Sequence, residues 1–342
     1  MIEDTSRAPR LRTPPEFTGD AVDKPPIIQA QVVVCVATHR RPDGLRRLLA
    51  GLDSQRFEPD AELRVGVIVV DNDPEASAAE VCTRAANTLR WPLEYRMEPR
   101  RGISQVRNTL VAAAMETEAE FVVFVDDDET PDPCWLGELL RVRREYGADV
   151  VSGPVLPYFY EAVPRWVVDG KFFEQPFERP RHQTGHRIEG AGAGNVLLRA
   201  RIFAETGETF DERVSLIGGE DTLFFTRLER AGYTMVWADE ATVHEWTPAS
   251  RTGAKWLLKR AYRLGNNRSL LETHGLNPGL RARLFRFAKG TGRILQGLSL
   301  LPVSAALCPI AGRGRLVESL QHVCRGAGML AGLVGVLYEE YR

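Results

Sequence analysis

Between residues 27 and 125 the chain alternates short apolar runs rich in β-branched residues with stretches of helical period, and that alternation admits few folds. The first run, IIQAQVVVCVA at 27–37, has the composition of a buried strand, and Thr38-His39-Arg40-Arg41-Pro42 breaks it. Pro42 suits the first turn of a helix, after which Leu45, Leu48, Leu49 and Leu52 fall on one helical face. A second run, LRVGVIVV at 63–70, closes on Asp71. A helix near 75–90, a short strand near 93–97, a helix near 103–116 and a strand at 120–125 (EFVVFV) follow. Such alternation predicts a parallel, helix-covered sheet, and ligands of open sheets of this kind bind beyond the carboxyl ends of the strands. The polar residues that follow each apolar run are therefore the candidates for chemistry.

Beyond residue 130 the pattern loosens. Segment 154–190 carries five prolines and several aromatics without clear period, and it reads as loop. A strand near 194–199, a helix near 220–231, a strand near 233–237 and a helical stretch from Thr252 restore order, and no internal repeat is visible. Residues 1–26 hold five prolines among charges and no charged-then-apolar leader, so they read as a flexible tail. The formal charge of −2 gives no overall attraction to nucleic acid. Cysteines at 35, 82, 134, 308 and 324 form no CxxC pair and no zinc spacing, which excludes a disulfide framework and fits a reducing cytoplasm.

Asp126-Asp127-Asp128-Glu129 follows directly on the apolar run 121–125, forcing several carboxylates together at the carboxyl end of a strand. Like charges this close raise the free energy unless protons or a cation relieve them. Two readings stand: a solvated acidic turn, or a site for Mg²⁺ or Mn²⁺, since hard oxygen ligands without Cys or His favour those ions. Arg107 and Asn108 lie on a helix whose apolar side is Ile103, Val106, Leu110 and Val111. Arg107 either reaches a nucleotide phosphate or a cluster aspartate, or is a surface arginine paired with a glutamate, and Gly102 before it permits close backbone approach. Glu220-Asp221 opens another helix after two glycines; plain capping explains one acid there, and room for a substrate explains the pair. His244 is a candidate metal ligand or a satisfied structural histidine, Trp246 a candidate sugar-stacking ring, and Trp237 a core residue. Gly190-Ala191-Gly192-Ala193-Gly194 lacks dinucleotide-fingerprint spacing, no phosphate-loop signature occurs, and Asn267-Arg268-Ser269 is an incidental glycosylation match.

Taken in order, Thr38-His39-Arg40-Arg41-Pro42, Asp71, Gly102 to Asn108, Asp126-Asp127-Asp128, Gly194-Asn195, Phe210-Asp211 and Gly218-Gly219-Glu220-Asp221 make the chain resemble glycosyltransferase family 2 over about residues 30–250. Bacterial exopolysaccharide glucosyltransferases of the succinoglycan type are especially similar. The resemblance implies a GT-A fold: α/β, a Rossmann-like, mostly parallel sheet flanked by helices, here over 27–250. It implies an inverting transfer of a sugar from a nucleotide diphosphate, UDP-glucose by preference, to a hydroxyl of a glycan or lipid-diphosphate-linked acceptor. By the same resemblance Thr38, Arg40, Arg107, Asn108, Asp126 and Asp127 bind the donor, and Asp71 accepts a hydrogen bond from its base. Asp128 is the metal ligand with Asp126 and His244, Asp221 is the catalytic base with Glu220 beside it, and Gly219 and Trp246 meet the acceptor.

From Arg251 to Arg293 the chain has eleven Lys or Arg and one acid, Glu272, a net charge of +10. Next come 294–312, uncharged but interrupted by Pro302 and Pro309, and the apolar stretch 326–338; neither reads as a full membrane span. Residues 251–342 are therefore expected to form a helical, membrane-proximal region, peripheral or monotopic at the cytoplasmic face of the plasma membrane, its basic part against anionic lipid. A soluble helical domain with a solvated basic face is the plainer alternative. Two rival functions remain: a sugar-phosphate nucleotidyltransferase, which would show a glycine-rich loop where this chain has Thr38-His39-Arg40-Arg41, and a non-catalytic membrane scaffold of the same fold.

Overall fold

The computed structural model describes residues 31–57, 63–173, 182–275 and 279–338, and the tail expected at 1–26 lies outside them. Strand β1 (Val32–Thr38), helix α1 (Pro42–Asp53), strand β2 (Val65–Asp71), helix α2 (Ala79–Ala86), strand β3 (Leu93–Met97), helix α3 (Ile103–Met115) and strand β4 (Phe121–Asp126) follow the expected alternation. Successive side chains of a strand point to opposite faces. Val32, Val34 and Val36 accordingly join one core with Leu45, Leu48 and Leu52 of α1. Val33 and Cys35 join a second core with Val106 and Leu110 of α3. A strand covered on both faces has to be apolar at every position, which is why 32–36 shows no polar alternation.

Strands β2 and β4 flank β1 in parallel, and β3 lies outside β2. The chain thus builds outward from β1 to β3, then crosses back through α3 to lay β4 on the other side of β1. That reversal opens a crevice at the carboxyl ends of β1 and β4.

After β4 come strand β5 (Glu129–Pro131), helix α4 (Trp135–Tyr146), strands β6 (Val150–Ser152) and β7 (Val155–Tyr158), helix α5 (Arg165–Asp169), strand β8 (Asn195–Arg199), helices α6 (Arg201–Thr206) and α7 (Glu220–Arg230), and strands β9 (Met235–Trp237) and β10 (Val243–Trp246). The main sheet runs β3-β2-β1-β4-β8-β6-β9, and β5-β10-β7 form a second, small sheet beside the crevice. β8 alone runs antiparallel to its neighbours in the main sheet. No crossover precedes it: the chain leaves β6 at the crevice end and re-enters there. The stretch expected as loop at 154–190 contains β7 and α5, both too short and too proline-rich to show a period.

The C-terminal region is helical: α8 (Ala254–Leu270), a π-helical turn (Leu271–Gly275), α9 (Leu280–Ala311) and α10 (Gly314–Leu333). Pro302 and Pro309, expected as breaks, lie within α9; its inner face is held by α10, and Pro302 falls on the exposed side. Among the described residues no helix is long and apolar enough to cross a membrane. The three long helices meet at glycines. A Cβ on Gly265 of α8 would stand 2.1 Å from the Arg325 carbonyl oxygen, and one on Gly328 of α10 would stand 2.0 Å from that of Tyr262. Neither neighbour is a flexible side chain, so the helix axes would have to separate. Gly328→Ala is expected to lower stability by about 1–3 kcal/mol, whereas Gly292→Ala, where a methyl meets open space, should raise it by about 0.5–1 kcal/mol. Urea denaturation of both variants checks this pair, and equal effects would contradict the packing.

Candidate active site

The sheet register decides which residues share the crevice. Thr38 is the partner of Asp71, and Ala37 that of Asp126, so three strand ends deliver polar residues side by side. Asp71, expected to contact a nucleotide base, is fully buried. Its carboxylate accepts the Asp73 and Ala78 N–H groups at 2.9 Å and the Tyr95 hydroxyl at 3.1 Å. These bonds shape the loop after β2. Asn72 then donates to the carbonyls of Glu98 and Arg100 and accepts the Gly102 N–H. Gly102 has φ +134°, and a Cβ there would meet the Ser215 hydroxyl at 2.2 Å, so glycine is required where α3 begins. Arg40 stands half-exposed at the rim, its Nε 3.1 Å from Asp73.

The three consecutive aspartates differ sharply. Asp127 is buried, accepting the Thr38 hydroxyl at 2.8 Å and Arg41 Nη1 at 2.9 Å. Two of the expected donor contacts, Thr38 and Asp127, are thus bonded to each other. Asp128 accepts Arg41 at 2.7 Å and lies 3.5 Å from Arg251, which also holds Glu245 at 3.0 Å. Asp126 is the open member: its side chain is 40% exposed, and its ion pair among the described residues is a 3.5 Å contact with Arg107. Enclosure at the crevice floor raises its pKa to about 7; Arg107 opposes the shift, and Asp128 and Asp127 add to it.

Arg107 joins the two halves of the fold. It is buried on α3, its Nη1 paired with Glu220 at the start of α7, its Nη2 towards Asp126, and its guanidinium over the Phe210 ring at 5.6 Å. Burial pushes Glu220 up to about 7 against the pull of Arg107, with Asp221 adding to the rise. Among the described residues the second oxygen of Glu220 is buried without a hydrogen-bond partner. Asp221 is half-buried and accepts the Thr222 N–H at 2.6 Å. The glycine-rich segment 190–194 runs between these acids. A Cβ on Gly194 would stand 3.2 Å from Asp126 Oδ2 and 2.6 Å from Glu129 Oε1, and one on Gly192 3.7 Å from Asp221 Oδ2. The segment therefore forms a floor of glycine and alanine, its glycines open towards Asp126 and Asp221.

Several expected site residues make contacts within the protein. Asn108 makes a double hydrogen bond with the backbone of Phe210, both at 2.9 Å, and so pins that segment. Gly219, expected to leave room for an acceptor, has φ +93°, and Leu271 fills the space beside it: a Cβ on Gly219 would stand 2.6 Å from Leu271 Cδ1. His244 and Trp246 share one face of β10. His244 bonds Asp132 at 3.0 Å, and Trp246 packs on Tyr158, Tyr160 and Arg47. Glu245, on the other face, turns towards Asp128 and Arg251, and burial raises its pKa, with Asp128 adding to the rise and Arg251 opposing it. Glu245, Arg41 and Arg251 were given no site role from the sequence. The alternation Val243-His244-Glu245-Trp246 would have identified Glu245 once 243–246 was recognised as a strand.

Among the described residues no three His, Cys, Asp or Glu side chains gather closely enough to enclose an ion. The carboxylates of Asp126 and Asp128 fit a hard divalent cation of the kind that takes one or two protein oxygens and completes its shell from substrate phosphates.

The family model for Glycosyl transferase family 2 matches residues 33–207, and that for Glycosyl transferase family group 2 matches 121–323. The chain is 32% identical over 309 residues to the succinoglycan biosynthesis protein ExoM of Rhizobium meliloti (strain 1021), covering 90% of this chain and 94% of that protein. It is 22% identical over 262 residues to the glucosyl-dolichyl phosphate glucuronosyltransferase of Haloferax volcanii, covering 72% and 78%. The mannosyltransferase PcManGT from Pyrobaculum calidifontis, solved in complex with GDP-Man and Mn²⁺, superposes with a TM-score of 0.57 at 18% identity over 89% of this chain and 87% of that one. That superposition establishes a shared GT-A fold.

Replacing Arg107 tests the bridge. Arg107→Met leaves Glu220 buried without its cation and should destabilise the protein by about 3 kcal/mol at pH 8. Without the guanidinium the Glu220 carboxyl titrates still higher than about 7. At pH 5 it is then neutral and needs no partner, so the loss should be clearly smaller. Thermal melts at the two pH values check the sign, and equal losses would contradict it.

Proposed function

The chain belongs to Glycosyl transferase family 2, and from that premise we propose that it moves a sugar, glucose in the first instance, from a UDP-sugar to a hydroxyl of a glycan or lipid-diphosphate-linked acceptor in exopolysaccharide assembly. Membership separates it from the sugar-phosphate nucleotidyltransferases. The observation that carries the reading is the convergence of Asp126 and the Glu220-Asp221 pair on one crevice through Arg107. The polysaccharide setting is supported by the relative named for succinoglycan biosynthesis.

In the proposed reaction the acceptor oxygen attacks the anomeric carbon as Asp221 takes its proton. The bond from that carbon to the diphosphate oxygen breaks on the opposite face, and its electron pair leaves with the nucleoside diphosphate. The configuration at carbon inverts. Asp221 suits the base role because it is half-buried beside the glycine floor, whereas Glu220 is occupied by Arg107. Arg41 and Arg251, which bracket Asp128, are placed to orient the diphosphate. Asp126 and Asp128 are the residues that would hold Mg²⁺ or Mn²⁺, and such an ion, when bound, neutralises charge on the leaving group. The catalytic unit is proposed to extend over 27–250, and 251–342 to attach it, peripherally or monotopically, to the cytoplasmic face of the plasma membrane.

Asp221→Asn is expected to lower turnover by about 10²–10⁴-fold while the thermal shift produced by UDP-glucose with Mn²⁺ stays near the wild-type value. Unchanged turnover would remove Asp221 as the base. Chelation with EDTA is expected to abolish transfer, with recovery on adding Mn²⁺ or Mg²⁺; full turnover in EDTA would rule the ion out. A panel of nucleotide-sugars in the same assay identifies the donor, because a ligand at 100 times its Kd adds about 2.7 kcal/mol of stability. No shift with any nucleotide-sugar would overturn the reading.

A further inference from the structure

Helix α9 presents a face that nothing among the described residues covers. Its inner stripe, Arg286, Gly290, Gly297 and Ser304, is buried. A Cβ on Gly297 would meet the Ser319 carbonyl at 2.6 Å, so this stripe lies against α10. On the opposite side Leu280, Leu284, Phe287, Leu295 and Leu298 recur at helical spacing and are 51–73% exposed. Five large apolar side chains in one exposed row are not a scatter of surface residues; they form a patch of the kind that marks a binding surface.

Charge indicates what binds there. Between residues 280 and 311 the chain has five Lys or Arg and no acid. Arg286 is turned inward to Glu272, while Arg281 and Arg283 are exposed beside the apolar row and Lys289 is exposed farther round the helix. All five cations lie at or before Arg293, and the remainder of the helix is uncharged. A second copy of this helix offers no acid to neutralise them, which disfavours self-association through the face. A surface that is negative at its edge and apolar beneath matches both features. No described helix can span a bilayer, so α9 would lie along the surface.

We propose that the exposed face of α9 docks on an anionic lipid bilayer, with the leucine and phenylalanine row in the acyl boundary and Arg281 and Arg283 at the headgroups. This rests on the membrane attachment proposed for 251–342 and narrows it to one helix face. The basic end of α9 is also the end nearest the chemistry. Ala282 shares a cleft of about 260 Å³ with Thr222 and Thr226, which follow Asp221 on α7. Docking therefore holds the catalytic helix close to the headgroup layer, where a lipid-diphosphate-linked acceptor presents its sugar.

The test is flotation of the full chain with vesicles of phosphatidylcholine alone or with added phosphatidylglycerol, alongside sedimentation velocity without lipid. Wild-type protein is expected to float with the anionic vesicles and to release in high salt. The double variant Leu284→Asp/Leu298→Asp, and separately Arg281→Glu/Arg283→Glu, should each reduce binding about tenfold or more. Thermal midpoints and the UDP-sugar shift should stay unchanged, since these side chains are exposed. The milder Leu284→Gln/Leu298→Gln pair serves if the aspartates disturb folding. Wild-type flotation that survives both double variants overturns the α9 face but leaves membrane attachment standing. No flotation of the wild type overturns both, as does a concentration-dependent dimer that Leu284→Asp/Leu298→Asp dissolves. Loss of the UDP-sugar shift in wild-type protein speaks against the transferase reading alone.

Discussion

A buried arginine between two acids organises this protein. Arg107 comes from the first half of the sheet and Glu220 from the helix that follows its second half, yet the two form a pair from which water is largely excluded. Charges so placed are tolerated only when their geometry is fixed on every side. Much of the surrounding structure supplies that fixation. Asp71 folds the loop after β2, Asn72 draws Gly102 into position, and α3 then carries Arg107 inward. On the other side Asn108 clamps the Phe210 backbone, and Phe210 packs under the guanidinium. Residues that resemble ligand contacts in the sequence are, in several cases, the supports that let Asp126 and Asp221 face the same space.

The parts legible in the sequence are those governed by local pattern. The run 32–36 announces a strand covered on both faces, and Leu45, Leu48 and Leu52 announce the helix packed on it. The placement of Asp126 at a strand's carboxyl end follows from the same reasoning. What escaped is set by pairing over long separations. Whether His244 or Glu245 turns towards Asp128 depends on 243–246 being a strand paired with 129–131, which no short-range signal reveals. The direction of β8 depends on where the chain re-enters the sheet. Gly219 looks spacious until Leu271, fifty-two positions later, takes the space. Asp127 and Asp128 are equivalent as letters and become different once Thr38, Arg41 and Arg251 choose between them.

The helical C-terminal region is tied to the crevice as well as to α9's outer face. Arg251 reaches Asp128, Asn267 donates to the Ile217 carbonyl at 2.6 Å, and Leu271 abuts Gly219. Part of the basic segment is consumed internally: Arg268 and Arg286 hold Glu272, and Arg260 lies over the rings of Phe173 and Trp256. The outward positive charge is therefore smaller than the composition of 251–293 suggests, with Lys255 and Lys259 exposed on α8 and Arg281, Arg283 and Lys289 on α9. The glycine contacts that draw α8, α9 and α10 together leave the apolar side chains of α9 outside, which is how one short region both braces the site and presents a surface.

The central claim is that a nucleotide-sugar lies in the crevice at the carboxyl ends of β1 and β4. Crystals soaked with UDP and Mn²⁺, measured near the manganese absorption edge, test it most directly. The account predicts an anomalous peak in contact with Asp126 or Asp128 and nucleotide density beside Thr38 and Arg40. A peak or nucleotide elsewhere, with that crevice filled only by solvent, would contradict it.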